Sequence, residues 1–179
     1  MTTDTKYGGW TNYETWAVKL WLNNDQGWQE QCNEWAIEYL QEAIDREQDK
    51  SHAVDELADR LKWLHEETAP AADGVFSDLL NHALASVNWE EIAQSCVNEV
   101  EVYSAGWNAP GCMPDNEPAM FLDTDDAKRC ILDAIRNHAE EAGNEADAET
   151  LTAFAEDINL EKGEFSAQCL GIAYWVHRS

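Results

Sequence analysis

Residues 27–50 read GWQEQCNEWAIEYLQEAIDREQDK, and two periodicities run through them at once. Trp28, Cys32, Trp35, Ala36, Tyr39, Leu40, Ala43 and Ile44 recur at the three- and four-residue spacing that collects apolar side chains on one helix face. Glu30, Glu34, Glu38 and Glu42, continued by Asp45 and Asp49, form a second line. The stretch therefore predicts a helix over about residues 28–48, its apolar stripe in a core and its carboxylates in water. Solvated helix faces usually mix acids with Lys and Arg. Here Glu42→Arg46 is the one pair of opposite sign at i,i+4, although like charges at that spacing cost roughly 0.2–0.5 kcal/mol per pair.

The same bias pervades the chain. Among 179 residues, 36 acids stand against 11 Lys and Arg, a net charge of −25. It is not confined to a tail: residues 1–100 hold 20 acids and 6 bases, and residues 101–179 hold 16 and 5. The hydrophobic fraction of 44% is ordinary for a folded protein. A folded body this negative repels nucleic acid and anionic lipid, so direct binding to either is not expected. Basic partners are.

Outward from the acidic helix, Thr11 and Glu14 form a capping-box pattern in WTNYETWAVKLWL, and Tyr13, Trp16, Ala17, Leu20 and Trp21 fall on one face of the helix that follows. NNDQG breaks it. Further helices are predicted over about 52–67, with Val54, Leu57, Ala58, Leu61 and Leu64 inward, and over 75–86 and 88–97. The pattern changes near Glu99: VEVY alternates like a strand, SAGWNAPGCMPDNEP reads as loop, and AMFLD as a short strand. Thr124 is placed to cap a helix to about Glu141, another helix covers about 145–158, and SAQCLGIAYWVH reads as one closing strand. The fold class is α+β. A helical domain spans residues 1–98, and a small α+β domain of two helices on an antiparallel sheet spans 99–179.

Signatures of chemistry are missing. DTDDAK lacks the glycine and closing glutamate of a calcium loop, the five histidines are isolated, and no zinc spacing, phosphate loop or nucleophile motif occurs. No metal, cofactor or catalysis is expected. The five cysteines include no C-x-x-C, MTTDTKYGGW has no basic, apolar signal start, and no stretch of about 18 apolar residues could span a membrane. A reduced cytoplasmic protein is expected, with mostly buried thiols. The nine tryptophans read chiefly as core filling, with some available as rigid contact surface beside the acids.

Three accounts of the acids follow. A solvated face can be filled with glutamate because it forms helices well, and a salt-loving host favours acidic surfaces generally. The third account is imitation of nucleic acid. One DNA strand carries a charge per roughly 3.4 Å. One i,i+4 stripe gives a charge per roughly 6 Å, so two neighbouring stripes approach a strand. Glu30, Glu34, Glu38, Glu42, Asp45 and Asp49, seconded by Asp55, Glu56 and Asp59, are then the partner-binding residues.

The opening YGGWTNYETWAVKLWLNND, Tyr7 to Asp25, resembles the start of a family of small uncharacterised acidic proteins from bacteriophages, plasmids and their bacterial hosts, which open with a GWTNYETW-like segment. The likeness rests on Trp10, Thr11, Asn12, Tyr13, Glu14, Thr15 and Trp16. It implies a mobile-element context, in which acidic inhibitors of restriction or CRISPR nucleases occur; the resemblance to those inhibitors is in charge only. The expected function is occupation of the basic DNA- or RNA-binding surface of a host defence nuclease complex. An accessory protein that docks a basic partner through its Trp-rich first helix is the alternative. An enzyme with a reactive Cys112 thiol in the WNAPGCMPDNEP loop is a third reading.

Overall fold

The computed structural model describes residues 6–109, 117–158 and 164–178, and divides into two compact units, Met1–Val100 and Glu101–Ser179. The Cys112 loop lies outside the described residues.

The first unit is helical: α1 (Tyr13–Asn24), α2 (Gln26–Asp45), α3 (Lys50–Glu67), α4 (Val75–Ser86) and α5 (Trp89–Glu99). α2, α3 and α5 pack against one another, and α1 lies on α2 and α5. Their core is the stripe read from sequence: Cys32, Trp35, Ala36, Leu40 and Ala43 from α2 and Ala53, Val54, Leu57, Ala58 and Leu61 from α3 are buried, joined by Ile92, Ala93, Cys96 and Val97 of α5. Asp25, Asp49 and Asn88 each cap the helix that follows, accepting from Trp28, Ser51 and Glu91 backbone N–H groups.

α1 departs from expectation twice. Asn12, not Thr11, caps it, with Oδ1 accepting from the Thr15 backbone N–H at 2.9 Å. Its inward residues are Thr15, Lys19 and Leu22, while Tyr13, Leu20 and Trp21 of the apolar stripe are exposed. The polar residues turn inward because partners wait there, as described below.

The second unit is a four-stranded antiparallel sheet in the order β2-β1-β4-β3, with α6 (Thr124–Glu140) and α7 (Glu145–Asp157) packed on it. The strands are β1 (Tyr103–Asn108), β2 (Ala119–Phe121), β3 (Phe165–Cys169) and β4 (Ile172–Arg178). Ala105, Tyr174, Val176 and Cys169 meet Ala127, Ile131, Ile135 and Leu151 in its core. The α+β class and the layout of two helices on an antiparallel sheet hold.

Three local expectations fail. VEVY is not the strand; pairing begins at Tyr103 and runs through SAGWN, because Tyr103–Asn108 align with Arg178–Ala173 of β4. Asp123, not Thr124, caps α6, accepting from Asp125 and Asp126 backbone N–H groups. SAQCLGIAYWVH is two strands joined at Leu170-Gly171, whose φ values of 48° and 81° make the two-residue turn that matches strand twist.

Candidate functional site

The predicted carboxylates stand where the periodicity put them. Glu30, Glu34, Glu38 and Asp45 are exposed and Glu42 is half-exposed, all away from the buried Cys32–Trp35–Leu40 side of α2. Glutamines, rather than cations, hold several of them: Gln26 Nε2 donates to Glu30 at 2.7 Å, Gln31 to Glu34 at 3.3 Å and Gln41 to Asp45 at 2.8 Å. Among the described residues one guanidinium answers the line, Arg46, 3.0 Å from Glu42. Arg60, the nearest alternative by sequence, lies over the Trp35 ring at 4.6 Å instead.

Two of these acids also sit at the unfavourable end of the helix. α2 has no basic residue in its last turn and no acid in its first, while Glu42 and Asp45 lie beside its C-terminal carbonyls. An exposed acid there is disfavoured by roughly 0.3–1 kcal/mol.

The remaining predicted residues part company. Asp49 caps α3; the Ser51 backbone N–H, 2.8 Å away, and the Ser51 hydroxyl hold its carboxyl below the usual range. Glu56 flanks His52 at 3.8 Å. Asp55 and Asp59 instead line a groove of about 640 Å³ with Lys62, Asn88 and Glu90, and Asp55 also faces Glu91 in an adjoining cleft. α3 thus turns Arg60 toward α2 and Asp55 and Asp59 toward α5. Glu90 and Glu91 were missed in the sequence because acids in a first turn read simply as helix-start residues.

Polar groups of the GWTNYETW segment are engaged by the fold. Gly8 and Gly9, at φ +57° and +96°, form a tight turn in which the Tyr7 and Trp10 backbones bond each other at 2.8 and 2.9 Å. Any side chain on Gly8 would collide with Trp16 at 2.9 Å. Asn12 Nδ2 donates to the Ser86 carbonyl at 2.6 Å, the Asn88 backbone N–H donates to Thr15 Oγ1 at 2.9 Å, and the Thr11 N–H donates to Glu91 at 3.1 Å. These bonds latch the start of α1 to the α4–α5 corner. They account for why Thr15 faces inward.

Residues 3–108 match a family of unknown function, DUF7249. The chain belongs to that family. The match covers the helical unit and β1, so it includes the acidic helix and the latch together. No curated protein and no solved structure matches the chain.

Several aromatic side chains are exposed. Trp35 and Trp89 are the buried tryptophans, whereas Trp21 is 75% exposed, and Trp63 and Trp107 are exposed as well. Trp10, Trp16, Trp28 and Trp175 are half-buried. Val75, Phe76 and Leu79 of α4 are exposed too. Among the described residues, no helix is long and apolar enough to cross a membrane, and no three His, Cys, Asp or Glu side chains are grouped to hold a metal ion.

Proposed function

We propose that the protein is a non-catalytic inhibitor, borne by a phage or plasmid, that enters the basic DNA- or RNA-binding surface of a host defence nuclease complex, of CRISPR or restriction type, in the host cytoplasm. The observation carrying this reading is the outer face of α2. Glu30, Glu34, Glu38, Glu42 and Asp45 are held along one helix nearly without counter-cations, the last two against the helix dipole. Rigid carboxylates of this kind attract a surface built for phosphates and release its counterions as nucleic acid does. The mobile-element setting and the defence target rest on the resemblance of Tyr7–Asp25.

The experiment is charge reversal. Glu34, Glu38 and Glu42 are changed together to Lys, and protection of a targeted plasmid is measured in cells carrying the defence system. Protection disappears while the circular dichroism spectrum is kept; if protection survives in the folded variant, another face is responsible.

One observation favours a second reading. Tyr13 is 55% and Trp21 75% exposed on α1, so a basic partner could dock on these aromatics by cation–π and apolar contact. Tyr13→Ala or Trp21→Ala then weakens binding more than reversal of the acids does.

A further inference from the structure

Three helices of the first unit converge on a pair of sulfurs. Cys32 of α2 and Cys96 of α5 are buried, and Lys19 of α1 is only 5% exposed. Lys19 Nζ donates to the Cys96 sulfur at 3.3 Å and to Glu99 Oε1 at 3.3 Å. Cys32 lines the same cleft as Cys96, close enough for its thiol to act on the Cys96 sulfur. A buried ammonium needs a negative partner, and the Glu99 side chain is itself 67% exposed. Glu99 is the Lys19 ion-pair partner on the outer side and the Cys96 sulfur its hydrogen-bond partner on the inner side. Lys19, Cys32, Cys96 and Glu99 line a cleft of about 480 Å³ together with Asn23 and Asn33, a route for a small reagent to reach both thiols.

The two cysteines are not equivalent. The Lys19 ammonium donates to Cys96, so negative charge is favoured there. The neighbouring Cys32 thiol, helped by the Lys19 charge and opposed by burial, lowers Cys96 from the ordinary thiol value. Cys32 is pushed up by the neighbouring Cys96 sulfur and by burial. The thiolate is the reactive form of cysteine.

We propose that Cys96 is a modification site, a lysine-held thiolate that reacts with hydrogen peroxide, and that Cys32 resolves the product to a Cys32–Cys96 disulfide. In the first step the Cys96 sulfur attacks one peroxide oxygen. An S–O bond forms, the O–O bond breaks, and the departing hydroxide takes a proton to leave as water. Next, Cys32 gives up its proton and attacks the Cys96 sulfur. The S–S bond forms, the S–O bond breaks, and the hydroxyl leaves with that proton as a second water. Two thiols lose two electrons to one peroxide, giving one disulfide and two waters. Glu30 of the acidic line also borders this cleft, but Glu34, Glu38 and Glu42, whose reversal tests the mimicry, do not line it, so either reading can fail alone.

The test uses the purified full chain treated with hydrogen peroxide, then mass spectrometry of unreduced peptides. A Cys32–Cys96 disulfide forms at peroxide levels that leave Cys130 and Cys169 as thiols, which burial pushes up. In Cys32→Ser, a cyclic 1,3-diketone traps sulfenic acid at Cys96. Alkylation of Cys96 in the unaltered protein has its midpoint below the ordinary thiol value of about 8.5, and Lys19→Met lowers its rate at neutral pH as the thiolate fraction falls. Absence of the disulfide, equal oxidation of Cys130 and Cys169, or a Cys96 alkylation midpoint at the ordinary thiol value of about 8.5 overturns the proposal.

Discussion

Thr15 Oγ1 accepts a hydrogen bond from the Asn88 backbone N–H at 2.9 Å, tying the first turn of α1 to the start of α5. Thr15 is completely buried, so water cannot replace it. Thr15→Val keeps the volume, removes the acceptor and strands that N–H, at a cost of about 1–3 kcal/mol. Urea unfolding checks this. An unchanged midpoint means the latch contributes no stability.

Glu38 lies four residues from both Glu34 and Glu42 on the face of α2. Glu38→Lys turns two repulsive steps into two attractive ones and raises stability by about 0.5–1.5 kcal/mol. The same change weakens partner binding. Stability up with binding down marks a surface kept for function; a fall in both shows instead that the acids serve the fold.

Leu170 holds φ 48° in the β3–β4 turn and is about half exposed. A side chain branched only beyond Cβ is still disfavoured there, whereas Asn is tolerated and Asn-Gly is the preferred pair for such a turn. Leu170→Asn stabilises the protein by about 1 kcal/mol, read from thermal denaturation. A fall in stability shows that Leu170 packs usefully despite its exposure.

The Tyr174 phenol is pushed up to about 12 from 10.0, first by burial and then by the nearby Cys169, and its hydroxyl lies 2.7 Å from His138 Nδ1. In the unfolded chain it ionises at its ordinary value. Between 10 and 12 the unfolded state therefore holds fewer protons than the native state, and stability falls as pH rises through that window. Tyr174→Phe costs about 0.5–1.5 kcal/mol at neutral pH through the lost hydrogen bond, and it flattens the alkaline decline. Parallel alkaline curves for the two proteins contradict this assignment.

Net charge of −25 sets a further expectation. At an ionic strength of about 0.1 M the screening length is roughly 10 Å, and the buried stripes of α2, α3 and α5 hold the acids apart. The protein is folded at that salt by circular dichroism. A requirement for molar salt indicates the salt-loving, plainly acidic protein instead.

The acidic helix was legible because two periodicities agreed: Cys32, Trp35, Ala36 and Leu40 required one face and the glutamates the other. α1 was not, since its inward side is polar. Thr15 and Lys19 are buried by partners 73 and 77 residues away, Asn88 and Cys96, which local spacing cannot reveal. The same long-range contact hid the Lys19–Cys96–Cys32 cluster, whose members are separately unremarkable in sequence. At the other end, SAGWN became a strand because β4 offered a partner, overriding its glycine. Asp55 and Asp59 looked like a continuation of the α2 line, but α3 turns them toward Glu90 on α5.

Host proteins retained by the immobilised full chain, challenged with double-stranded DNA or with RNA, measure the mimicry most directly. The expected result is that nucleic-acid-binding proteins are held by the unaltered protein, released by added nucleic acid, and missing from the column bearing Lys at 34, 38 and 42. Retention of the same proteins by that folded variant, or their failure to elute with nucleic acid, contradicts it.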